Sequence, residues 1–152
     1  MQTAKQLSVS LVNKPGRLAA ILDALAKEKI ASRAFCVMDS GSRGTLRFVP
    51  EDPAGARNAL ETIGVDYEQT DVLLVEVPSQ SGGFQKICRR LAQDHLNVDY
   101  AYGSLTSPMG AKGGMLAVVR VNDLAKAQRV LGESSSGNGS RRRLPRRRPS
   151  VR

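Results

Sequence analysis

Shifting the chain by 66 positions lays "LSVSLVNKPGRLAAILDALAKEKI" (7–30) on "LLVEVPSQSGGFQKICRRLAQDHL" (73–96). Leu7 meets Leu73, Val9 meets Val75, Gly16 meets Gly82, Ile21 meets Ile87, Leu25 meets Leu91 and Ile30 meets Leu96. The helical stripe Leu18, Ile21, Leu22, Leu25 returns as Phe84, Ile87, Cys88, Leu91, both at i, i+3, i+4, i+7. Such self-similarity means a duplicated supersecondary unit, and it constrains the fold more than any other feature. A unit of about 65 residues buries too little surface to be comfortable alone, so the copies are expected to pair, within the chain or between chains.

Each copy reads in the same order. In the first, "QLSVSLV" alternates as a strand, a helix covers about 16–29, and "ASRAFCVMD" and "TLRFV" are strands joined by the turn "SGSRG". Asp52 and Pro53 make an N-cap and first turn for a second helix with Ala56, Leu60 and Ile63 apolar and Gly64 closing it. "VDYEQT" reads as a fourth strand before the second copy opens at "DVLLVEVP". That copy has a longer hairpin, "LTSPMGAKGG", the strand "MLAVVRV" and a helix from about 122 to 131, ending at Gly132. The fold class expected is α+β: two tandem ferredoxin-like βαββαβ units, each an antiparallel sheet with helices on one face. The boundaries fall at 1–70, 71–133 and 134–152, and the last strand of the second unit is missing. Val72–Val77 would then carry an unpaired apolar edge, to be covered by another chain or by a different natural C-terminus.

The net charge of +9 is concentrated after Ser134, where "SSSGNGSRRRLPRRRPSVR" holds seven Arg and no acid, leaving about +2 for residues 1–133. This low-complexity tail is expected to be disordered. A nucleic acid partner is implied only if the tail is native, and contact would then be unspecific and salt-sensitive, since the tail lacks aromatics. No leader with a charged region and a long apolar core is evident, and no apolar run approaches the roughly 18 residues of a membrane span. Cys36 and Cys88 stand alone and His95 is the only histidine. The chain is therefore expected to hold no metal or cofactor and to suit a reducing cytoplasm.

Both copies enter their first helix through a turn with Gly at the same place, "NKPGR" and "SQSGG". A glycine there permits backbone angles and close approaches that a Cβ hinders. The first helical amides, near Arg17 and Leu18, point outward at the positive end of the helix dipole, where a carboxylate is held without a charged side chain. "NKPGRLAAILDALAKEKI" resembles the signature of the ACT domain, Asp-x-Pro-Gly-x-Leu followed by an apolar helix, and "SQSGGFQKICRRL" is a weaker version in the same position. The resemblance covers residues 5–132. It implies a non-catalytic regulatory protein that binds a small amino acid at interfaces between ACT units and works as a homodimer. It places ligand residues at Asn13, Lys14, Pro15, Gly16, Arg17 and Leu18, and again at Ser79, Gln80, Ser81, Gly82, Gly83 and Phe84. Ala31 and Ser32, with Asn97 and Val98, would line the same clefts. Asn13 replaces the usual Asp, and Ser81 stands where the first copy has Pro15, so the two sites are expected to differ.

Other readings of a ferredoxin-like chain fit less well. RNA recognition needs several stacking aromatics on the third strand, where "TLRFV" offers one Phe and "MLAVVRV" none. Heavy-metal binding needs paired cysteines in the first loop. An anion-cradling catalytic loop needs Asn and Arg, which "SQSGG" does not keep. Two alternatives to amino-acid sensing stay open: a nucleic-acid-associated protein acting through the Arg-rich tail, and a purely structural pairing module. Cys36, Cys88, Tyr100 and Tyr102 read as packing residues, and His95 as a helix-end charge.

Overall fold

The computed structural model describes residues 1–104 and 114–136. In chain order the elements are β1 (Gln2–Val12), α1 (Arg17–Lys27), β2 (Ser32–Ser40), β3 (Arg43–Pro50), α2 (Pro53–Thr62), β4 (Glu68–Pro78), α3 (Gly83–Gln93), β5 (Val98–Ser104), β6 (Gly114–Val121) and α4 (Leu124–Ser136). This is the α+β arrangement expected of two ferredoxin-like units. The expected hairpin tip at 105–113 and the basic tail from 137 onward lie outside the described residues.

The strands form one sheet in the order β2-β3-β1-β4-β6-β5, every neighbour antiparallel. Three expectations need correction here. The fourth strand of the first unit and the first strand of the second are one continuous element, β4, because only Asp71 separates Thr70 from Val72 and it breaks nothing. β1 begins four residues earlier than its alternation suggests: Gln2, Thr3, Ala4 and Lys5 pair with Leu74, Leu73, Val72 and Asp71. The edge at Val72–Leu74, expected to stand open, is therefore covered by the start of this same chain. Finally, α4 runs through Gly132 to Ser136; a helical glycine costs about 1 kcal/mol but does not by itself end a helix.

The pairing of β1 with β4 follows the duplication. Lys5 and Asp71, 66 residues apart, face each other at its centre, with Lys5 Nζ 2.5 Å from Asp71 Oδ1. Residues 2–5 thus serve the second unit as its fourth strand, while 68–70 serve the first. The likeness extends to irregularities: both units have a bulge at the start of their second strand, between Ser32 and Ala34 and between Val98 and Tyr100.

Odd-numbered residues of β1 and β4 point at the helices. Leu7, Val9 and Leu11 pack with Ile21, Leu25, Leu46, Phe48 and Leu60; Leu73, Val75 and Val77 pack with Leu91, Leu96, Val119, Val121 and Val130. The stripes read from sequence are slightly too wide, since Leu22 and Ile63 are each 43% exposed. The opposite face has its own core, in which Ala34 and Val49 of one unit meet Val72, Leu74, Leu116 and Val118 of the other. The sheet folds over this inner core until its two edge strands, β2 and β5, touch: Ser104 Oγ donates to the Arg33 carbonyl at 2.8 Å. The four helices of the described residues cover the outside.

Two pairs of left-handed residues frame the first helix of each unit. Gly16 (φ 87°) and Gly82 (φ 83°) precede α1 and α3, whereas Lys29 (φ 56°) and His95 (φ 55°) follow them. Ile30 and Leu96 amides then return to the Leu25 and Leu91 carbonyls at 3.0 and 2.9 Å. This closure favours glycine. Lys29→Gly and His95→Gly are each expected to stabilise the fold by about 0.5–1 kcal/mol, read as a raised urea midpoint. An unchanged or lowered midpoint in both would contradict this account of the turns.

Candidate functional site

The two Gly turns have nearly the same backbone. In the first, the Arg17 amide donates to the Lys14 carbonyl at 3.3 Å and the Ala20 amide to the Gly16 carbonyl at 3.0 Å. In the second, Gly83 donates to Gln80 and Lys86 to Gly82, both at 3.1 Å. The Arg17 amide, expected free from sequence, is therefore occupied. The next amides, of Leu18 and Ala19 and of Phe84 and Gln85, find no acceptor among the described residues and remain at the positive helix ends.

The surroundings of the turns differ. Asn13, Lys14, Pro15, Gly16 and Arg17 face solvent, and Leu18 half-buries itself against the first core. Ser79, Gln80 and Ser81 are exposed, Gly82 and Gly83 half-buried, and Phe84 leans on the second core. Gly83 also meets a packing demand: a Cβ there would lie 2.7 Å from the Pro78 carbonyl oxygen. Beside this second turn opens a cleft of about 740 Å³, lined by Gln80, Ser81 and Gly83 together with Lys86, Arg89 and Arg90 of α3. The three cations recur at i, i+3 and i+4, and among the described residues the only acid on the walls is Glu76. Arg90 Nε stands 3.9 Å from Asp94 Oδ2, an ion pair too long for a hydrogen bond, and this buried Nε makes no hydrogen bond among the described residues. An anionic group suits this cleft.

The remaining expected residues sit elsewhere. Ala31 and Ser32 open β2, where Ser32 pairs with Pro50 and Ala31 accepts from the Glu51 amide at 2.9 Å. That is the level of Lys5, about 23 Å of strand from the loop after Val12. Asn97 and Val98 open β5, with Val98 beside Val121 and the Asn97 amide bonded to Asn122 Oδ1 at 3.0 Å. They lie at the level of Asp71, equally far from the loop after Pro78. Because β1 and β4 are antiparallel, the two Gly turns are at opposite ends of the sheet.

Sequence reasoning missed Gln6. It is fully buried on the inner face, where its Nε2 donates to Tyr100 OH at 2.5 Å and its Oε1 accepts from Tyr102 OH at 2.7 Å. Burial, with the neighbouring Tyr100, pushes the Tyr102 hydroxyl pKa well above the usual tyrosine value. The available signal was the unbroken apolar run at 72–75, which implies burial on both faces.

Among the described residues no cluster of three or more His, Cys, Asp or Glu is placed to hold a metal ion. No helix there is long and apolar enough to cross a membrane. No curated protein matches this sequence. Protein BT0572 of Bacteroides thetaiotaomicron is 31% identical, with a TM-score of 0.79 over 88% of this chain and 89% of that one. The regulatory subunit of aspartate kinase from Thermus flavus has a TM-score of 0.62 at 19% identity, covering 89% of this chain and 94% of that one. Its counterpart from Thermus thermophilus, in a ligand-free form, has 0.58 at 19%, covering 86% and 91%. The model of the ACT domain pair matches residues 2–135. With its duplicated units, shared sheet and glycine turns, the chain belongs to the ACT domain pair family.

Proposed function

We propose that this is a non-catalytic regulatory protein that binds a small amino acid at its glycine turns and acts allosterically as a cytoplasmic homodimer. The observation that carries the reading is the repeated left-handed glycine leading into unpaired helical amides, opening in the second unit on a cationic cleft. The amides and cations suit a carboxylate. Two solved neighbours are regulatory subunits by name. Within one chain the first turn stands about 23 Å from Ala31 and Ser32, so a cleft that uses both requires a second unit. Phe35 (64% exposed) and Val37 (46%) offer that unit an apolar strand face. Ligand energy would fix the relative placement of units and so carry the signal.

A thermal-shift screen against the twenty amino acids tests this. At a hundredfold excess over Kd the ligand adds about 2.7 kcal/mol, or roughly 5–10 °C in Tm for a chain of this size. Lys86→Ala combined with Arg89→Ala is expected to reduce that shift if the second turn binds. No shift with any amino acid would overturn the reading.

A further inference from the structure

The folded sheet carries a second, polar cleft of about 470 Å³, floored by its inner face and using no residue of the glycine turns. Its floor is a row across three strands. Arg47 on β3 and Glu68 on β4 both stand directly beside Ser8 on β1, so all three side chains share the inner face. Their outer Cα atoms are about 10 Å apart. The opposite wall comes from the other end of the sheet, with Asp99, Tyr100 and Arg120.

The charges on these walls are incompletely matched. Arg120 is engaged, its Nη1 donating to the Asp71 carbonyl at 3.1 Å and its Nε 4.0 Å from Asp99 Oδ2. Arg47 has no carboxylate or carbonyl partner among the described residues: its guanidinium lies 4.1 Å from the centre of the Tyr100 ring, and there Nη1 reaches only the Met38 sulfur, at 3.2 Å. Its Nε is buried with no hydrogen-bond partner. Among the described residues Arg47 forms no ion pair, and neither does Glu68 nor the neighbouring Asp66. A partly buried cation held by a ring and a weak sulfur acceptor lacks its anion, and the exposed Glu68 and Asp66 stand on the same side of the cleft with no cation paired to them among the described residues. A carboxylate on Arg47 would gain charge-assisted hydrogen bonds at a site already fixed by stacking.

We infer that this cleft binds a small zwitterion, its carboxylate seated on Arg47 and its ammonium group on Glu68 and Asp66, as a site separate from the glycine turns. The test is NMR titration of the labelled full chain with glycine, β-alanine and 4-aminobutanoate, and with acetate and methylammonium as single-charge controls. At least one zwitterion is expected to move the Ser8, Arg47, Glu68 and Tyr100 signals and to bind at least tenfold tighter than either control. Glu68→Gln, at an exposed position, and Arg47→Met should each weaken that binding about tenfold; if Arg47→Met alters the fold, Glu68→Gln decides. The inference falls if no zwitterion moves these signals, if acetate binds as tightly, or if Glu68→Gln leaves affinity unchanged. Shifts confined to 13–18 or 79–84 would also overturn it while leaving the glycine-turn reading intact.

Discussion

A chain that starts at Gln6 is expected to lose about 4 kcal/mol of unfolding free energy and to aggregate. Of the five residues removed, four, Gln2 to Lys5, pair with Leu74 to Asp71. Four antiparallel positions carry about four main-chain hydrogen bonds, each contributing about 1 kcal/mol net. Their removal uncovers the apolar Val72–Leu74 edge, a template for pairing with other chains. Domains of this kind are stable by only about 5–15 kcal/mol, so the loss is a large fraction of the whole. Urea denaturation with light scattering checks it. A truncated chain with the full-length midpoint and no scattering would show that residues 2–5 do not close the second unit.

Gln6→Ala is expected to cost about 2–4 kcal/mol. Gln6 is fully buried and joins the two halves through Tyr100 and Tyr102. Truncation leaves two hydroxyls without their partner and a void at a fully buried position, and both effects destabilise. Removing all the polar partners together is gentler, so Gln6→Leu with Tyr100→Phe and Tyr102→Phe should cost less than Gln6→Ala alone. A Gln6→Ala variant within about 0.5 kcal/mol of the parent would mean that the network contributes little.

The same network predicts an alkaline limb. Burial and the adjacent Tyr100 raise the Tyr102 pKa above its ordinary 10.0, so the folded state holds a proton that the unfolded state releases. The resulting stability is complete below pH 10 and is lost as pH rises toward the folded value, with a slope approaching about 1.4 kcal/mol per pH unit. Tyr102→Phe should flatten that limb. An equal slope in both proteins would assign the alkaline loss to other groups.

The duplication, the element order and the outer cores were legible in the residues because they rest on local signals. Alternation in 7–12, the i, i+3, i+4, i+7 stripes, Asp52 before Pro53 and a glycine at 16 and 82 are each set by neighbours close in sequence. Asp52 does accept from the Gly55 amide, at 3.0 Å, and both glycines take the left-handed conformation. Gln2–Lys5 gave no such signal. "QTAK" becomes strand only because the other unit presents an unpaired edge, and propensity yields to a pairing about 70 residues away.

The inner face left one local trace, the apolar run at 72–75, and its polar cleft left none. Arg47, Ser8, Glu68 and Tyr100 are scattered along the chain and become one cleft only when the sheet folds on itself. The sequence alone therefore determined two ferredoxin-like units and their glycine turns, since backbone geometry and short-range periodicity suffice for both. The tertiary structure alone decided how the units share a sheet, which edge the N-terminal strand closes and which polar groups meet inside. Those outcomes depend on long-range pairing and on burying a second apolar face, neither of which has a period in the chain.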